Sequence, residues 1–342
     1  MTTDPAAAPG SYRFTDHSVL RPWVTRVWFA RLFPLLPRWL AANVVTLVST
    51  GTLAAVITAS FFADWLGPMR YALLQLVALQ LYVAGDHLDG MQAVASGTTS
   101  PLGDFLDHHC DLWAGCVLCF GFWSLAGTAP LWELYLLTVL LIAGFAITYV
   151  ERAEQKALHF TAWGTLEVIA ILTAFYVSWC IPAVRAWWLG DLAPGMARHV
   201  LPVAAASAIA IGAIVVIARR LEQLPAPFIL NVATLVLLAL WCVLSGTPPL
   251  WGWVVVALTG ADYVAQVMQA HTTDRARPWP DVIPPLVTAA LWAVPGDSAA
   301  PRALLAGLTV WLVIRYVVTL TRIISGWRRH WVWMNVSPET NP

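Results

Sequence analysis

Four aspartates in an otherwise apolar stretch have the spacing of side chains that share a helix face. Asp86 and Asp89 are three residues apart, and Asp107 and Asp111 are four apart. Side chains at these separations are neighbours on a helix surface. If a short connection joins the two helices, they run antiparallel, and the four carboxylates converge at one depth. The pattern therefore predicts a carboxylate cluster at the ends of two adjacent helices.

A carboxylate cluster of this kind needs a compensating positive charge. One charged side chain at the centre of a membrane-spanning helix costs about 2.5–3.5 kcal/mol on insertion scales, before mutual repulsion. The sequence between Asp86 and Asp111 contains no Lys or Arg. Mg²⁺ is commonly held by carboxylates together with phosphate oxygens. We therefore predict a site for two Mg²⁺ ions, with Mn²⁺ as the alternative, that clamps a pyrophosphate. The predicted metal ligands are Asp86, Asp89, Asp107 and Asp111.

The connection between the two aspartate pairs has the composition of a turn. Gly90 and Gly103 bracket it, and glycine lets a backbone approach a ligand closely. The competing interpretation is a solvated loop in which aspartates cap helices, as Asp107 would do ahead of a helix start. Capping accounts for one or two aspartates, and it does not account for four on facing sides.

The overall composition indicates a membrane protein. Of 342 residues, 59% are hydrophobic and 11% are charged, against about 25% charged in ordinary soluble domains. The formal net charge is zero, so charge gives no reason to expect a nucleic-acid partner. The first long apolar run follows about forty residues of mixed polarity, and we therefore expect no secretory signal peptide.

Apolar runs of about 20 residues, the length that crosses a bilayer as a helix, occur ten times. They are residues 42–62, 69–88, 108–128, 131–150, 159–180, 199–218, 226–244, 250–268, 283–296 and 302–322. The predicted fold is all-α, a polytopic integral membrane protein with about ten transmembrane helices. Residues 18–38 interleave Arg with Trp, Phe and Leu, which predicts an N-terminal amphipathic helix in the interface. A basic flank that sets topology is the alternative.

Basic residues at the ends of these runs are unequally distributed. Fourteen lie on one side and four on the other. By the positive-inside rule, both termini and the aspartate cluster are cytoplasmic. Arg outnumbers Lys by 18 to 1, which is typical of a GC-rich genome, and we therefore expect a bacterial inner membrane.

The aspartate segment resembles the signature of the CDP-alcohol phosphotransferase family, D-x2-D-G-x2-A-R-x8-G-x3-D-x3-D. The residues at matching positions are Asp86, Asp89, Gly90, Ala93, Gly103, Asp107 and Asp111. The local sequence motifs, DG-x-QA followed by SPLG and then D-H-x-C-D, are most similar to those of the choline/ethanolamine phosphotransferase branch. Weaker similarities are WLAANVVT at 39–46, GTLE at 164–167, AHT at 270–272 and Arg315-Tyr316.

The resemblance implies a domain organisation. Residues 1–41 would form a cytoplasmic segment with the interfacial helix, and residues 42–220 a catalytic core of six helices. Residues 221–325 would add four transmembrane helices, and residues 326–342 a cytoplasmic tail. Members of this branch also lead us to expect a homodimer.

The resemblance also implies how the nucleotide is held. The four aspartates would hold two Mg²⁺ ions against the pyrophosphate of a CDP-alcohol. Gly90, Ala93 and Gly103 would line the CDP moiety, with Asn43 nearby.

Two further residues acquire catalytic roles from the same resemblance. His108 would be the general base that takes the proton of a lipid hydroxyl, because histidine suits proton transfer near neutral pH. Glu167 would orient His108 as the third member of a triad does. Asp111 would serve both metal binding and catalysis.

Two residues depart from the family signature. Val94 stands where the signature has arginine, and His109 replaces the glycine beside the base. We expect the first to remove a cationic contact and the second to add bulk at the catalytic face. These departures predict altered substrate choice, or weakened or lost activity.

The sequence therefore predicts an enzyme that acts on CDP-choline or CDP-ethanolamine. It would transfer the phospho-headgroup to the hydroxyl of diacylglycerol or a similar lipid and release CMP. One alternative uses a CDP-lipid donor with a soluble alcohol, and another is a catalytically impaired lipid- or nucleotide-binding relative. A transporter, which predicts charged groups near the bilayer midplane, fits a cluster at one membrane face less well.

Overall fold

The computed structural model describes residues 13–327 apart from 17, 128, 161–164, 222, 273–277 and 296–297. Within this part of the chain the α-helices, α1 to α14 in chain order, are Arg21–Val24, Ala30–Leu32, Ala42–Thr52, Ala54–Ser60, Ala63–Ser96, Pro101–Ala126, Leu131–Gln155, Thr165–Trp179, Pro182–Leu189, Val200–Arg220, Ala226–Leu244, Pro249–Thr272, Ile283–Ala293 and Ala300–Gly326. The strands β1 to β4 are Arg13–Asp16, Ala157–Phe160, Asp191–Ala193 and Met196–Ala197. Strand β1 pairs with β2, and β3 pairs antiparallel with β4.

The predicted all-α polytopic membrane fold is confirmed, and each predicted span contains a helix. Among the described residues, seven helices are long and apolar enough to cross a membrane, or eight if α8 and α9, bent by 107°, form one broken span. Helix α13, in the short ninth run, covers only Ile283–Ala293. The presence of ten transmembrane spans therefore stays a prediction.

The start of α6 differs from the sequence prediction. The third apolar run begins at residue 108, whereas the helix begins at Pro101. Ser100 is its N-cap, because the Ser100 Oγ accepts a hydrogen bond from the Gly103 amide at 3.1 Å, and Pro101 follows at the first helical position, where its missing N–H has no cost. Asp107 therefore lies in the second turn of the helix, and its predicted alternative role as a cap is wrong.

Helix α5 ends in a motif that returns the chain directly into α6. Gly97 has φ +66°, a conformation that glycine adopts at little cost. The Thr98 amide donates to the Ala93 carbonyl at 3.0 Å, and the Gly97 amide donates to the Val94 carbonyl at 3.3 Å. This is a Schellman cap. Three residues, 97–99, thus separate α5 from the Ser100 cap, and the predicted antiparallel helix pair is confirmed.

The N-terminal segment is helical from Arg21 to Leu35, in four short consecutive stretches that include a π turn at Thr25–Phe29 and a 3₁₀ turn at Phe33–Leu35. Trp23 and Trp28 are exposed, whereas Phe29 is buried. The Phe29 ring stacks on the His87 ring of α5 with 4.1 Å between centroids. The predicted helix is therefore present and fixed to α5 by this contact, and its position in a membrane interface stays a prediction.

The described residues form two compact units. One contains residues of 16–129 and 160–206, and the other contains residues of 130–159 and 207–326. In the second unit, α12 packs closely on α7, because a Cβ at Gly260 would meet the Ile142 side chain and a Cβ at Gly252 would meet Tyr135. Small residues permit such close approach between membrane helices.

In the first unit, α3 packs closely against α5 next to the aspartates. A Cβ added at Gly85 would meet the Ser49 Cβ and would lie 2.9 Å from its Oγ. We predict that Gly85→Ala lowers the free energy of unfolding by about 1–3 kcal/mol, the usual cost of overpacking. Thermal unfolding of the purified chain in detergent measures this loss.

Gly51→Ala on α3 is the matched control, since a Cβ there would meet no atom of the described chain within 4 Å. It is expected to leave stability unchanged or to raise it by up to about 1 kcal/mol through helix propensity. Equal melting temperatures for the two variants would show that α3 and α5 are not in close contact at Gly85.

Candidate metal and catalytic site

The two aspartate pairs meet because their helices are antiparallel and the residues are equally far from the turn. Asp89 lies seven residues before the end of α5, and Asp107 lies six residues after the start of α6. At 1.5 Å per residue both are roughly 9–11 Å from the turn. The Asp86 carboxyl is within hydrogen-bonding reach of that of Asp111 and within electrostatic reach of Asp107 and Asp89. The predicted convergence of the four carboxylates is thus observed.

Two hydroxyl groups, one from α3 and one from α5, donate hydrogen bonds to these carboxylates. The Thr46 Oγ1 of α3 donates to Asp89 Oδ2, and the Tyr82 Oη of α5 donates to Asp111 Oδ1. Thr46, Asp89 and Tyr82 are all buried. These two hydrogen bonds orient the Asp89 and Asp111 carboxylates.

The donor set fits a hard divalent cation. The ligand atoms of Asp107, His108 and Asp111 lie within 4.8 Å of one another, and Asp86 adjoins them from α5. Carboxylate oxygens are the ligands that Mg²⁺ prefers. Four carboxylates so close together repel each other strongly in a partly buried setting, and a cation between them removes that repulsion. The chemistry of the site therefore favours metal binding, as the sequence predicted.

His108 lies at the centre of the acidic residues of α6. Its Nδ1 is 3.9 Å from Asp111 Oδ2 and 4.0 Å from Asp107 Oδ2. Its Nε2 is 3.4 Å from Asp104 Oδ1, one helical turn earlier. His108 therefore faces the carboxylate cluster, where it can accept a proton from a group bound there or contribute a metal ligand.

Glu167 occupies a buried position on the first turn of α8. Its Oε1 accepts hydrogen bonds from the Ser18 hydroxyl at 2.7 Å and from the Leu20 amide at 3.0 Å. Glu167 thus binds the start of the N-terminal helical segment. The carboxylate that lies beside His108 Nε2 is that of Asp104. The predicted pairing of Glu167 with His108 stays a prediction.

The predicted nucleotide-lining residues lie around the same turn. Gly90 is exposed, and a Cβ there would meet no described atom within 4 Å. A Cβ at Gly103 would lie 3.4 Å from the Asn43 side-chain oxygen, so Asn43 adjoins the first turn of α6. Ala93 is the residue whose carbonyl closes the Schellman cap. Open space at Gly90 beside buried polar groups is compatible with a bound nucleotide.

The two departures from the family signature have different surroundings. Val94 is 74% exposed, so an arginine at this position would extend outward from α5. His109 is buried and stacks on Phe105 with 5.1 Å between centroids. The expectation that His109 adds bulk at the catalytic face is wrong, because a one-residue step rotates its side chain into the helix packing.

Sequence reasoning missed several residues that support the site. Tyr82 precedes Asp86 by one turn, and Asp104 precedes His108 by one turn, so i,i+4 spacing could have identified both. Gln92 is a different case. Its side-chain amide donates to the carbonyls of Pro37, Arg38 and Leu40 at 2.7–3.3 Å, and only long-range packing reveals that contact. The His271 side chain and Gly164, named in the weaker family similarities, lie outside the described residues.

Comparison with known proteins is consistent with the geometry. Residues 39–193 match the family model of CDP-alcohol phosphatidyltransferase. The chain is similar to cholinephosphotransferase 1 of Gallus gallus, at 34% identity over 104 residues, which is 29% of this chain and 31% of the relative. It is similar to ethanolaminephosphotransferase 1 of Mus musculus, at 25% identity over 197 residues, 52% of this chain and 48% of the relative. It is also similar to choline/ethanolaminephosphotransferase 2 of Arabidopsis thaliana, at 30% identity over 128 residues, 35% of this chain and 33% of the relative. The chain thus spans a third to a half of the length of these curated relatives.

Proposed function

We propose that this chain is a phosphotransferase that uses a CDP-alcohol as its donor, because residues 39–193 match the family model of CDP-alcohol phosphatidyltransferase. It transfers phosphocholine or phosphoethanolamine to the hydroxyl of diacylglycerol or a similar lipid. The observation that carries this proposal is the convergence of Asp86, Asp89, Asp107 and Asp111 beside His108. The names of the similar proteins supply the headgroups.

The reaction joins a lipid hydroxyl to the β-phosphorus of the donor. His108 accepts the hydroxyl proton while the oxygen attacks, the bond between the β-phosphorus and the bridging oxygen breaks, and CMP leaves with the bonding electron pair. The four aspartates would hold two Mg²⁺ ions, with Mn²⁺ as the alternative, and these ions would stabilise charge on the pyrophosphate. Asp111 would contribute to both metal binding and catalysis, because it lies in the carboxylate cluster and 3.9 Å from the His108 ring.

The nucleotide lies against the turn between α5 and α6 in this proposal. Gly90 leaves room for the CDP moiety, and Ala93, Gly103 and Asn43 surround it. The aspartate cluster opens to the cytosol, which supplies the soluble CDP-alcohol, and laterally to the bilayer, which supplies the lipid. We propose a bacterial inner membrane, both termini in the cytoplasm and a homodimer, with residues 42–220 as the catalytic core and residues 221–325 as four added helices.

Product analysis distinguishes this function from that of an enzyme that uses a CDP-lipid donor and a soluble alcohol. The purified chain is incubated in detergent with Mg²⁺, CDP-choline or CDP-ethanolamine, and diacylglycerol, and lipids are identified by mass spectrometry. We expect the matching phospholipid and CMP in equal amounts. Turnover with only a CDP-lipid and a soluble alcohol would replace the proposal by the second enzyme function. Nucleotide binding without turnover of any pair would indicate a relative that has lost its chemistry.

Glu167 provides a separate test of how His108 is oriented. We predict that Glu167→Gln lowers kcat by at least about tenfold without raising KM for the donor, because a neutral amide no longer stabilises a protonated His108. Ser18→Ala is the matched variant, since it removes one hydrogen bond to Glu167 and keeps the carboxylate. It is expected to retain most of the activity. Equal losses in both variants would mean that Glu167 acts only by anchoring the N-terminal segment.

A further inference from the structure

A second polar cluster lies between α12 and α14, within the unit that contains residues 207–326. Asp262 of α12 is buried, and its Oδ2 accepts a hydrogen bond from Arg315 Nε of α14 at 3.1 Å. The same nitrogen lies 2.7 Å from Asp281 Oδ2. The carboxylates of Asp262 and Asp281 therefore both contact the Nε of the Arg315 guanidinium.

Further contacts satisfy these two carboxylates. Asp262 also accepts from Thr319 Oγ1 at 2.8 Å and from Gln266 Nε2 at 2.7 Å. Asp281 accepts from Trp311 Nε1 at 2.8 Å. Both ion contacts of Arg315 use Nε, so among the described residues its two terminal nitrogens have no hydrogen-bond partner. Their donors form a fixed fork that can bind two oxygens of one anion.

The Arg315 fork adjoins a cavity of about 280 Å³. Residues 315, 318, 319 and 322 of α14 have i, i+3, i+4 and i+7 spacing, so one helix face lines it. The full lining is Gln266, Gln269, Trp311, Ile314, Arg315, Val318, Thr319 and Arg322. The Arg322 guanidinium, seven residues from Arg315, has no ion-pair partner among the described residues. Two arginines on one cavity wall thus present directed donors to the same space.

We propose that this cavity binds the phosphate diester of a phospholipid headgroup. Arg315 supplies a preorganised bidentate contact, and Arg322 supplies a second cation. The formal charges of Asp262, Asp281, Arg315 and Arg322 cancel, so the site suits a phosphodiester with one negative charge better than a doubly charged phosphate. Neither residue lies in the aspartate site, and the inference is independent of the phosphotransferase proposal.

The surroundings of the cavity favour a lipid over free phosphate. Ile314 and Val318, which line it, are 57% and 39% exposed on a helix apolar enough to span a membrane. A volume of about 280 Å³ is just below the range of about 300–1,000 Å³ for whole small-molecule ligands. The cavity therefore accommodates a headgroup, and acyl chains would lie outside it along Ile314 and Val318.

Native mass spectrometry of the purified full-length chain in detergent tests this site. EDTA is present, so that the metal-free aspartate cluster repels phosphate and does not contribute binding. We expect wild type to bind added phosphatidylcholine more tightly than diacylglycerol with the same acyl chains. Arg322→Gln is expected to weaken phosphatidylcholine binding about tenfold, the effect of losing one charge-assisted hydrogen bond. Diacylglycerol binding is expected to stay unchanged.

Two further variants make the test specific. Arg302→Gln removes an exposed arginine at the opposite end of the same helix and is expected to bind like wild type. Arg315→Lys keeps the charge and loses the bidentate fork, and it is expected to weaken binding. Because Arg315 Nε also pairs with Asp262 and Asp281, the melting temperature of this variant is measured beside its lipid binding. Equal binding by Arg322→Gln and Arg302→Gln would overturn the proposal. Displacement of the lipid by millimolar inorganic phosphate would instead assign the cavity to free phosphate.

Discussion

Replacing His108 by alanine is expected to slow CMP release by about 10²–10⁴-fold while leaving metal-dependent nucleotide binding intact. The His108 Nδ1 lies 3.9 Å from Asp111 Oδ2 and 4.0 Å from Asp107 Oδ2, so the ring faces the place where the carboxylates would hold the donor. A general base contributes about 10²–10⁴-fold to a rate. We expect kcat to fall by that factor at saturating CDP-choline and diacylglycerol.

Isothermal titration of CDP-choline into the same variant, with and without Mg²⁺, provides the control. If His108 acts as the base, the dissociation constant of CDP-choline in Mg²⁺ stays close to that of wild type. A loss of Mg²⁺-dependent binding in His108→Ala would show that the histidine is a metal ligand, which the proximity of its ring to Asp107 and Asp111 also permits. The proton acceptor would then have to be another group.

Asp111→Asn is expected to remove both turnover and Mg²⁺-dependent nucleotide binding. Asp111 receives the Tyr82 hydroxyl, adjoins Asp86 and contacts His108, so it connects the α5 and α6 sides of the site. The amide keeps the size of the side chain and loses the charge. Metal ions supply several kcal/mol of charge stabilisation, and each 1.36 kcal/mol is tenfold in rate. We therefore expect CMP release to fall by roughly 10³-fold or more.

Asp64→Asn is the matched control for this substitution. Asp64 is exposed in the first turn of α5, far along the helix from Asp86, and its replacement is expected to leave kcat unchanged. Melting temperatures of both variants separate loss of the site from loss of the fold. Full Mg²⁺-dependent activity in Asp111→Asn would mean that the remaining aspartates bind the catalytic metal alone.

The helix pair and its aspartates were predictable because they depend on local spacing. Asp86 and Asp89 share a face through i,i+3 spacing, and Asp107 and Asp111 through i,i+4 spacing. The turn-like composition between Gly90 and Gly103 predicted the connection. The start of α6 was predicted seven residues too late, because its first turns are polar and are stabilised by the Ser100 cap rather than by apolar side chains.

The supporting contacts were not predictable, because they join residues far apart in sequence. Thr46 reaches Asp89 across 43 residues, and Ser18 reaches Glu167 across 149. Asp262 and Arg315 were each recognisable as charges inside apolar runs, yet no local pattern paired them. Tyr82 and Asp104 are the exceptions, since their positions one turn before Asp86 and His108 were visible in the sequence.

The most direct test of the central claim is the metal dependence of CMP release by the wild-type chain. Purified protein with CDP-choline and diacylglycerol is treated with EDTA and then titrated with Mg²⁺. We expect no CMP release in EDTA and full recovery as Mg²⁺ is restored, because the four carboxylates cannot hold a pyrophosphate without cations. Undiminished CMP release in excess EDTA would contradict the assignment of Asp86, Asp89, Asp107 and Asp111 as a catalytic metal site.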